Sequence, residues 1–201
     1  MLNLPLSTEV NRRVSKEKIY SHASLTPALR NAIKTKIEFV IWRNKIAAST
    51  ISVAETKNIK EIQIFEIQLK QRELSTGVLS AIAKAIPYKI IFALTFEDTA
   101  QICAEACNTF YSTSWLPLMN LNIKFEGLNL DAVYENIVRQ IAAGRLSDNI
   151  ELSEAVERDK KHRKLEWEIA ALENKMLREK QFNRQCEMNE ELKKLKKEVE
   201  D

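Results

Sequence analysis

The stretch Ile59-Lys60-Glu61-Ile62-Gln63-Ile64-Phe65-Glu66-Ile67-Gln68-Leu69-Lys70 decides the fold class of this 201-residue chain. Apolar and polar residues alternate along it too regularly for a helix, so the pattern predicts a β-strand over residues 59–70. The apolar positions change sides near Ile64 and Phe65. This change predicts either a bulge or a strand that is covered on both faces over part of its length.

The residues that follow this strand predict one helix and two more strands. Helical spacing returns over residues 74–86, and Pro87 ends it. Residues 88–96 form the most apolar strand of the chain, and a turn at residues 97–99 leads into an antiparallel strand over residues 100–107. The helical connection is long enough to bring strands 59–70 and 88–96 parallel to each other.

Helices are also predicted on both sides of this central part. Thr26-Pro27 is a good helix start, and the apolar spacing after it predicts a helix over residues 27–45, followed by a short strand at residues 49–53. Near the N-terminus, Ser7 or Thr8 is a candidate helix cap.

The region after residue 107 has weaker signals until a clear amphipathic helix begins. Residues 108–128 read as a loop, with an edge strand at residues 122–125 as an alternative. Asp131 then predicts a helix cap, and Gly144 predicts the end of that helix. The whole order predicts an α/β or α+β body over residues 1–150, a small mixed sheet with flanking helices.

Residues 151–201 predict a long, charged C-terminal helix that forms a coiled coil. Its apolar residues repeat at spacings of 4, 3 and 4 in two sets: Leu165, Ile169, Leu172 and Met176, then Met188, Leu192, Leu195 and Val199. The two sets are out of register by two residues, and the interruption coincides with Gln181-Phe182-Asn183. We expect these seam residues and Phe182 to bind a second copy or another protein, with packing against the chain's own body as the alternative.

One strand face carries residues that a metal-dependent nuclease would use. Glu66, Gln68 and Lys70 are spaced by two, so a regular strand places them on one face. They resemble the acidic-x-Lys strand of the PD-(D/E)xK nuclease superfamily, in which carboxylates hold Mg²⁺ and the lysine stabilises the attacked phosphate. Gln68 stands where an acid is usual, and Glu55 or Glu61 would have to supply a further acid. A solvated strand face, on which polar residues alternate with apolar ones, explains the same three residues without a nuclease site.

Other chemistry has little support in the sequence. The basic run of Arg12, Arg13, Lys16 and Lys18 suggests phosphate binding by a DNA-binding module, although a solvated surface explains it equally well and the net charge is only +3. Cys103 and Cys107 would share a strand face without further zinc ligands, which favours packing roles. An odd number of cysteines and no secretory or membrane segment predict a cytoplasmic protein.

Four segments give the chain a family resemblance over nearly its whole length. They are residues 4–11, Ala85-Ile86-Pro87-Tyr88, Leu130-Asp131-Ala132-Val133-Tyr134-Glu135, and Glu179-Lys180-Gln181-Phe182-Asn183-Arg184. With them the chain resembles a bacterial family of uncharacterised proteins, a domain of unknown function, often encoded beside type III restriction-modification methyltransferases and DEAD-box or SNF2-type helicases. The resemblance implies a role in DNA defence and supplies no catalytic residues.

These observations together favour a non-enzymatic accessory or scaffold subunit of a bacterial, restriction-modification-like anti-phage system. Its partners would be a second copy or another protein, including a helicase or methyltransferase of the same system. No cofactor is expected, and Mg²⁺ enters only if the chain is an active or degenerate nuclease.

Overall fold

The computed structural model describes residue 2 and residues 4–200, which form two compact units that divide after Arg145. The first unit is a mixed α/β body, and the second is helical. The predicted fold class is therefore confirmed: an open sheet with flanking helices precedes a long C-terminal helix.

An open sheet forms the centre of the first unit. The described strands are β1 (Glu9–Val14), β2 (Ile37–Ala47), β3 (Glu61–Leu69), β4 (Lys89–Phe96), β5 (Thr99–Ala106), β6 (Thr109–Ser112) and β7 (Leu116–Pro117). Strands β1 to β6 lie side by side in chain order, and β7 pairs with β5. Strands β3 and β4 are parallel, as predicted, whereas the other described pairs are antiparallel.

Helices of the first unit lie on both sides of this sheet. They are α1 (Lys16–His22), α2 (Pro27–Lys36), α3 (Thr76–Lys84) and α4 (Leu130–Ala142). Helices α1 to α3 bury one face of β2 to β4 in an apolar core, whose largest members are Ile33, Ile37, Phe65, Ile67, Leu69, Leu79, Phe92 and Leu94. Helix α4 packs on β5, β6 and the other face of β3.

Strand β3 is buried along both faces, and this resolves the two readings of its pattern. Every residue from Glu61 to Ile67 is buried. The bulge lies on the neighbouring strand, where Trp42 pairs with Phe65 and Asn44 pairs with Ile64. Arg43 is the extra residue between them. The apolar residues of β3 therefore change sides because structure covers the strand on both faces.

The predicted helix over residues 27–45 is wrong in its second half. Helix α2 ends at Lys36, and the next eleven residues form β2. Residues 29, 33, 37, 40 and 41 fit helical spacing, but the run from Ile37 to Trp42 is rich in β-branched and aromatic residues, which favour strands. Pairing with β1 and β3 on both edges satisfies the backbone hydrogen-bonding groups of β2, so the strand loses none of the bonds that a helix would make internally.

Several shorter predictions also need correction. Ser7 and Thr8 lie in a 3-10 turn that leads into β1, so they cap no α-helix. Residues 49–53 are turn and bend, and residues 122–125 are irregular. Asn129, not Asp131, caps α4 by accepting a hydrogen bond from the Ala132 N–H.

The second unit contains two helices, α5 (Leu152–Arg178) and α6 (Phe182–Glu200). The sequence predicted one long helix with a seam interrupted at residues 181–183, whereas the structure breaks the helix itself at residues 179–181, where Glu179 adopts an extended conformation with φ −74° and ψ 133°. Helices α5 and α6 pack against each other, and Glu173 pairs with Lys196 across them at 2.8 Å. We call this pair the helical hairpin. Among the described residues, no helix has the length and apolar character that crossing a membrane requires.

Candidate functional sites

Glu66 belongs to a hydrogen-bonded group that we call the Arg–Glu cluster, made of Asn11, Arg43 and Glu66. Arg43 reaches it from the bulge on β2 and donates Nε to Glu66 Oε2 at 2.7 Å and Nη2 to Oε1 at 3.2 Å. A third bond runs from Arg43 Nη1 to the side-chain oxygen of Asn11 at 3.2 Å. The bond to the Glu66 carboxylate raises the pKa of Arg43. The pair is thus a bidentate ion pair with fixed geometry.

This cluster changes what Glu66 can do chemically. Its side chain is only 10% exposed, and both carboxylate oxygens already bind the guanidinium of Arg43. Glu9 lies at the same depression in the surface and accepts a hydrogen bond from Asn11. A cation placed between these carboxylates would meet the positive charge of Arg43, which is unfavourable at such short range. The described residues contain no group of three or more acidic, His or Cys side chains arranged to hold a metal ion.

Gln68 and Lys70 do not extend the cluster. Gln68 accepts a hydrogen bond from the Thr95 hydroxyl on β4 at 2.8 Å. Lys70 lies after the end of β3, is exposed, and is close enough to Lys16 to contribute to the lowered pKa of that residue, for which burial is the larger cause. The structure therefore gives Glu66, Gln68 and Lys70 three separate surroundings.

The basic N-terminal run is divided between two elements. Arg12 and Arg13 lie on β1, whereas Lys16 and Lys18 lie on α1. The guanidinium of Arg13 stacks 5.4 Å from the Phe39 ring centre, and the ammonium of Lys16 donates to the Ile37 carbonyl at 2.5 Å. Charged side chains on an edge strand also discourage pairing with other chains. Arg13 and Lys16 therefore have structural roles that need no phosphate.

The two cysteines of the first unit have different surroundings. Cys103 is buried in the core, and burial raises its pKa to about 12, so its thiol is an unreactive packing group. Cys107 is exposed in the turn between β5 and β6, where it and Asn108 both have positive φ. The expectation that both lie on one strand face is wrong, because β5 ends at Ala106.

The predicted seam residues lie along the helical hairpin. Leu165 and Leu192 are buried, and the other six are half-buried: Ile169, Leu172, Met176, Met188, Leu195 and Val199. The two sets lie on separate helices that pack together. A break between out-of-register sets lets the chain fold back, whereas a continuous heptad repeat would favour one long helix.

Three large apolar side chains of the hairpin remain in solvent. Trp167 is 72% exposed, Leu177 is 79% exposed and Phe182 is 75% exposed. Leu177 and Phe182 flank the break, so they lie at the tip of the hairpin. Phe182 was predicted to bind a partner, and its exposure leaves it accessible. Trp167 was the predicted docking point if the helix packed on its own body, and Leu177 falls outside the heptad spacing.

Sequence reasoning missed a basic cleft at the end of the sheet where β3 and β4 begin. The cleft has a volume of about 620 Å³ and is lined by the loop before β3, the end of α3, the start of β4, and single residues of β5 and α4. Four of its lining residues are lysines, and we call it the lysine cleft: Lys57, Lys60, Lys84 and Lys89. Two segments of the family resemblance, residues 85–88 and 130–135, both contribute to it through Ile86, Pro87, Tyr88 and Tyr134.

The comparisons with known proteins identify the family of this chain. The family described as Domain of unknown function (DUF4391) matches residues 2–199, which is nearly the whole sequence. The chain belongs to this family. No curated protein and no solved structure gives a significant match. The family description assigns no reaction, so a function has to be argued from the residues.

Proposed function

We propose that this family member is a non-enzymatic accessory or scaffold subunit of a bacterial DNA-defence system, acting in the cytoplasm through protein–protein contacts. The family resemblance supplies the setting, beside type III restriction-modification methyltransferases and helicases. One observation carries the proposed contact: three large apolar side chains are more than 70% exposed on one short helical hairpin. Aromatic side chains such as Trp167 and Phe182 are the usual energetic anchors of protein interfaces.

The partner in this proposal is a helicase or methyltransferase of the same system, not a second copy of the chain. The burial of two seam residues, Leu165 and Leu192, and the contact between α5 and α6 support a different protein over a second copy. What remains outside is a small set of anchors suited to pockets on another protein.

The nuclease alternative has less support from the geometry. Its central acid, Glu66, is held by Arg43 through both oxygens, and Lys70 lies beyond the strand. Incubation of the protein with plasmid and Mg²⁺ or Mn²⁺, beside Lys70→Ala, separates the two functions. Lys70-dependent cleavage would support the nuclease and contradict the accessory role.

The interface can be tested with two matched triple variants. The hairpin variant carries Trp167→Ser, Leu177→Ser and Phe182→Ser, and the control carries the same change at three exposed apolar residues of the first unit, Leu6, Met119 and Leu128. Co-purification from host cells with the neighbouring helicase and methyltransferase, followed by reconstitution from purified proteins, measures binding. We expect the hairpin variant to lose the complex and the control to keep it. Equal binding by both variants, or no complex with the unchanged protein, would overturn the proposal.

A further inference from the structure

The lysine cleft has an excess of positive charge that its surroundings do not neutralise. Its two acidic lining residues are Glu61 and Glu105. Glu61 is only 8% exposed, pairs with Lys45 outside the cleft at 2.7 Å, and accepts a bond from Gln63 at 2.6 Å. Because Lys45 already compensates Glu61, Glu105 is the one other acidic residue among those that line the cleft, and the Asp131 carboxylate lies behind the loop that carries Lys57.

No cleft lysine has a carboxylate partner among the described residues. Lys57, Lys60 and Lys84 are exposed and form no ion pair within 4.0 Å in this part of the chain. Lys36, by contrast, pairs with Glu73 at 3.1 Å. Positive charges that line one cleft repel one another, and an anion bound in the cleft relieves that repulsion.

The frame of the cleft is fixed by hydrogen bonds. The Asp131 carboxylate at the start of α4 accepts from the Thr56 hydroxyl at 2.8 Å and from the Asn58 side-chain amide at 3.1 Å. These bonds hold the loop that carries Lys57, and the Leu130 N–H adds a bond to the Ala54 carbonyl. The cleft is therefore present before any ligand binds, which lowers the entropic cost of binding.

The aromatic residues of the cleft add a second kind of contact. The ammonium of Lys89 lies 5.4 Å from the ring centre of Tyr134, whose hydroxyl donates to the Glu105 carbonyl at 2.8 Å. Burial raises the pKa of Tyr134, so it stays a neutral donor. Tyr88, between Pro87 and Lys89, is 40% exposed and offers its ring to a planar group. A positive groove beside an exposed aromatic ring is how proteins hold phosphates and stack bases of single-stranded nucleic acid.

We infer that the lysine cleft binds a nucleotide unit, with the phosphates held by Lys57, Lys60 and Lys84 and the base stacked on Tyr88. The volume of about 620 Å³ lies within the range of small-molecule sites and suits one such unit. The unit comes either from a free nucleotide or from a single-stranded nucleic acid, since both present the same phosphate and base. This site goes beyond the proposed protein contacts and shares no residue with the hairpin anchors.

The test compares two variants of the full chain that lose the same charge. The cleft variant carries Lys57→Gln, Lys60→Gln and Lys84→Gln, and the control carries Lys161→Gln, Lys175→Gln and Lys193→Gln, three exposed lysines of the hairpin. Titration calorimetry with ATP and anisotropy with a labelled short oligothymidylate measure affinity, and inorganic phosphate at matched ionic strength serves as competitor. Circular dichroism confirms that both variants are folded.

We expect ATP, the oligonucleotide or both to bind, and the cleft variant to bind roughly 10- to 100-fold more weakly while the control changes little. Binding of ATP alone identifies a free nucleotide as the source, and binding of the oligonucleotide alone identifies a strand. Tyr88→Leu weakens base-containing probes but leaves competition by inorganic phosphate unchanged. Absence of binding by both probes, or equal weakening in the cleft and control variants, overturns the inference.

Discussion

Strand β3 and the helical hairpin both carry regular apolar patterns, yet they bury them very differently. The β3 side chains Ile62, Ile64 and Ile67 are fully buried because elements cover the sheet on both faces. Most seam residues of the hairpin are only half-buried, since each short helix has its apolar stripe on one side. Two equally regular apolar patterns therefore need not stabilise the fold equally. The stabilisation depends on how many layers of structure enclose each apolar side chain.

The largest expected effect on stability comes from the centre of the sheet. Ile67→Ala removes buried carbon atoms at a position with 0% exposure and leaves a cavity in the core. We expect it to lower the free energy of unfolding by about 2–5 kcal/mol, measured by urea denaturation. Ile67→Val is the matched control and should cost about 1 kcal/mol. A cost below that of Ile67→Val would show that β3 is packed more loosely than its burial indicates.

The Arg–Glu cluster should give the second largest effect. Arg43→Leu leaves the Glu66 carboxylate, 10% exposed, without its cation. Removing one partner of a fully buried pair costs 3–5 kcal/mol, and because the Arg43 side chain is 38% exposed we expect about 1–3 kcal/mol. Adding Glu66→Gln to Arg43→Leu should recover part of this loss. A double variant less stable than Arg43→Leu alone would contradict the conclusion that Arg43 neutralises the Glu66 carboxylate.

The hairpin seam should respond locally and more weakly than β3. Leu192 is the most buried α6 residue, at 4% exposure, but the neighbouring seam positions are half-buried. We expect Leu192→Ala to cost about 1–2 kcal/mol, below the usual core range. Hydrogen exchange should be faster at α6 amides while β3 amides keep their protection. Equal acceleration in β3 would show that the two units unfold together.

The smallest effect should come from the turn of the hairpin, and it should depend on pH. The Glu179 carboxylate accepts hydrogen bonds from the backbone N–H of Gln181 at 3.0 Å and of Lys180 at 2.8 Å, which lowers its pKa from 4.5. A carboxylate with a lowered folded-state pKa stabilises the fold above its unfolded-state pKa, and this contribution is lost as the pH falls through the folded-state value.

Glu179→Gln should therefore weaken the hairpin at pH 7 and have little effect at acidic pH, where the carboxylate of the unchanged protein is itself protonated. Hydrogen exchange of the first α6 turn at both pH values measures the difference. Glu187→Gln, at an exposed position of α6, is the matched control. An effect of Glu179→Gln that does not change with pH would show that backbone conformation, and not the Glu179 charge, stabilises the turn.

Sequence patterns predicted an element correctly where the pattern fits only one kind of secondary structure. Strand β3, the helix ended by Pro87, strands β4 and β5, and the amphipathic helix α4 lie close to their predicted positions. The shift of heptad register near Phe182 lies beside a helix break that the sequence did not predict. Prediction failed at β2, because the spacing of Ile33, Ile37 and Val40 suits a helix and the choice was made by pairing with two neighbouring strands.

The candidate sites were predicted less well than the elements. Glu66 was singled out as a candidate nuclease acid, but the structure pairs it with Arg43, which enters the site through a bulge that sequence spacing does not show. The lysine cleft draws on residues from position 57 to position 134. The flanking of Tyr88 by Lys84 and Lys89 was the only local signal that could have pointed to it.

By itself, the sequence determined the kinds of elements and which of their faces are apolar, because alternation and helical spacing are properties of adjacent residues. It also showed that the two heptad sets are out of register and cannot share one straight seam, although it predicted one helix where the structure has two. Only the tertiary structure decided that residues 37–47 are a strand, that Arg43 neutralises Glu66, and that four distant lysines share one cleft. Strand pairing and charge proximity act between residues far apart in the chain, and those distances exist only once the sheet has formed.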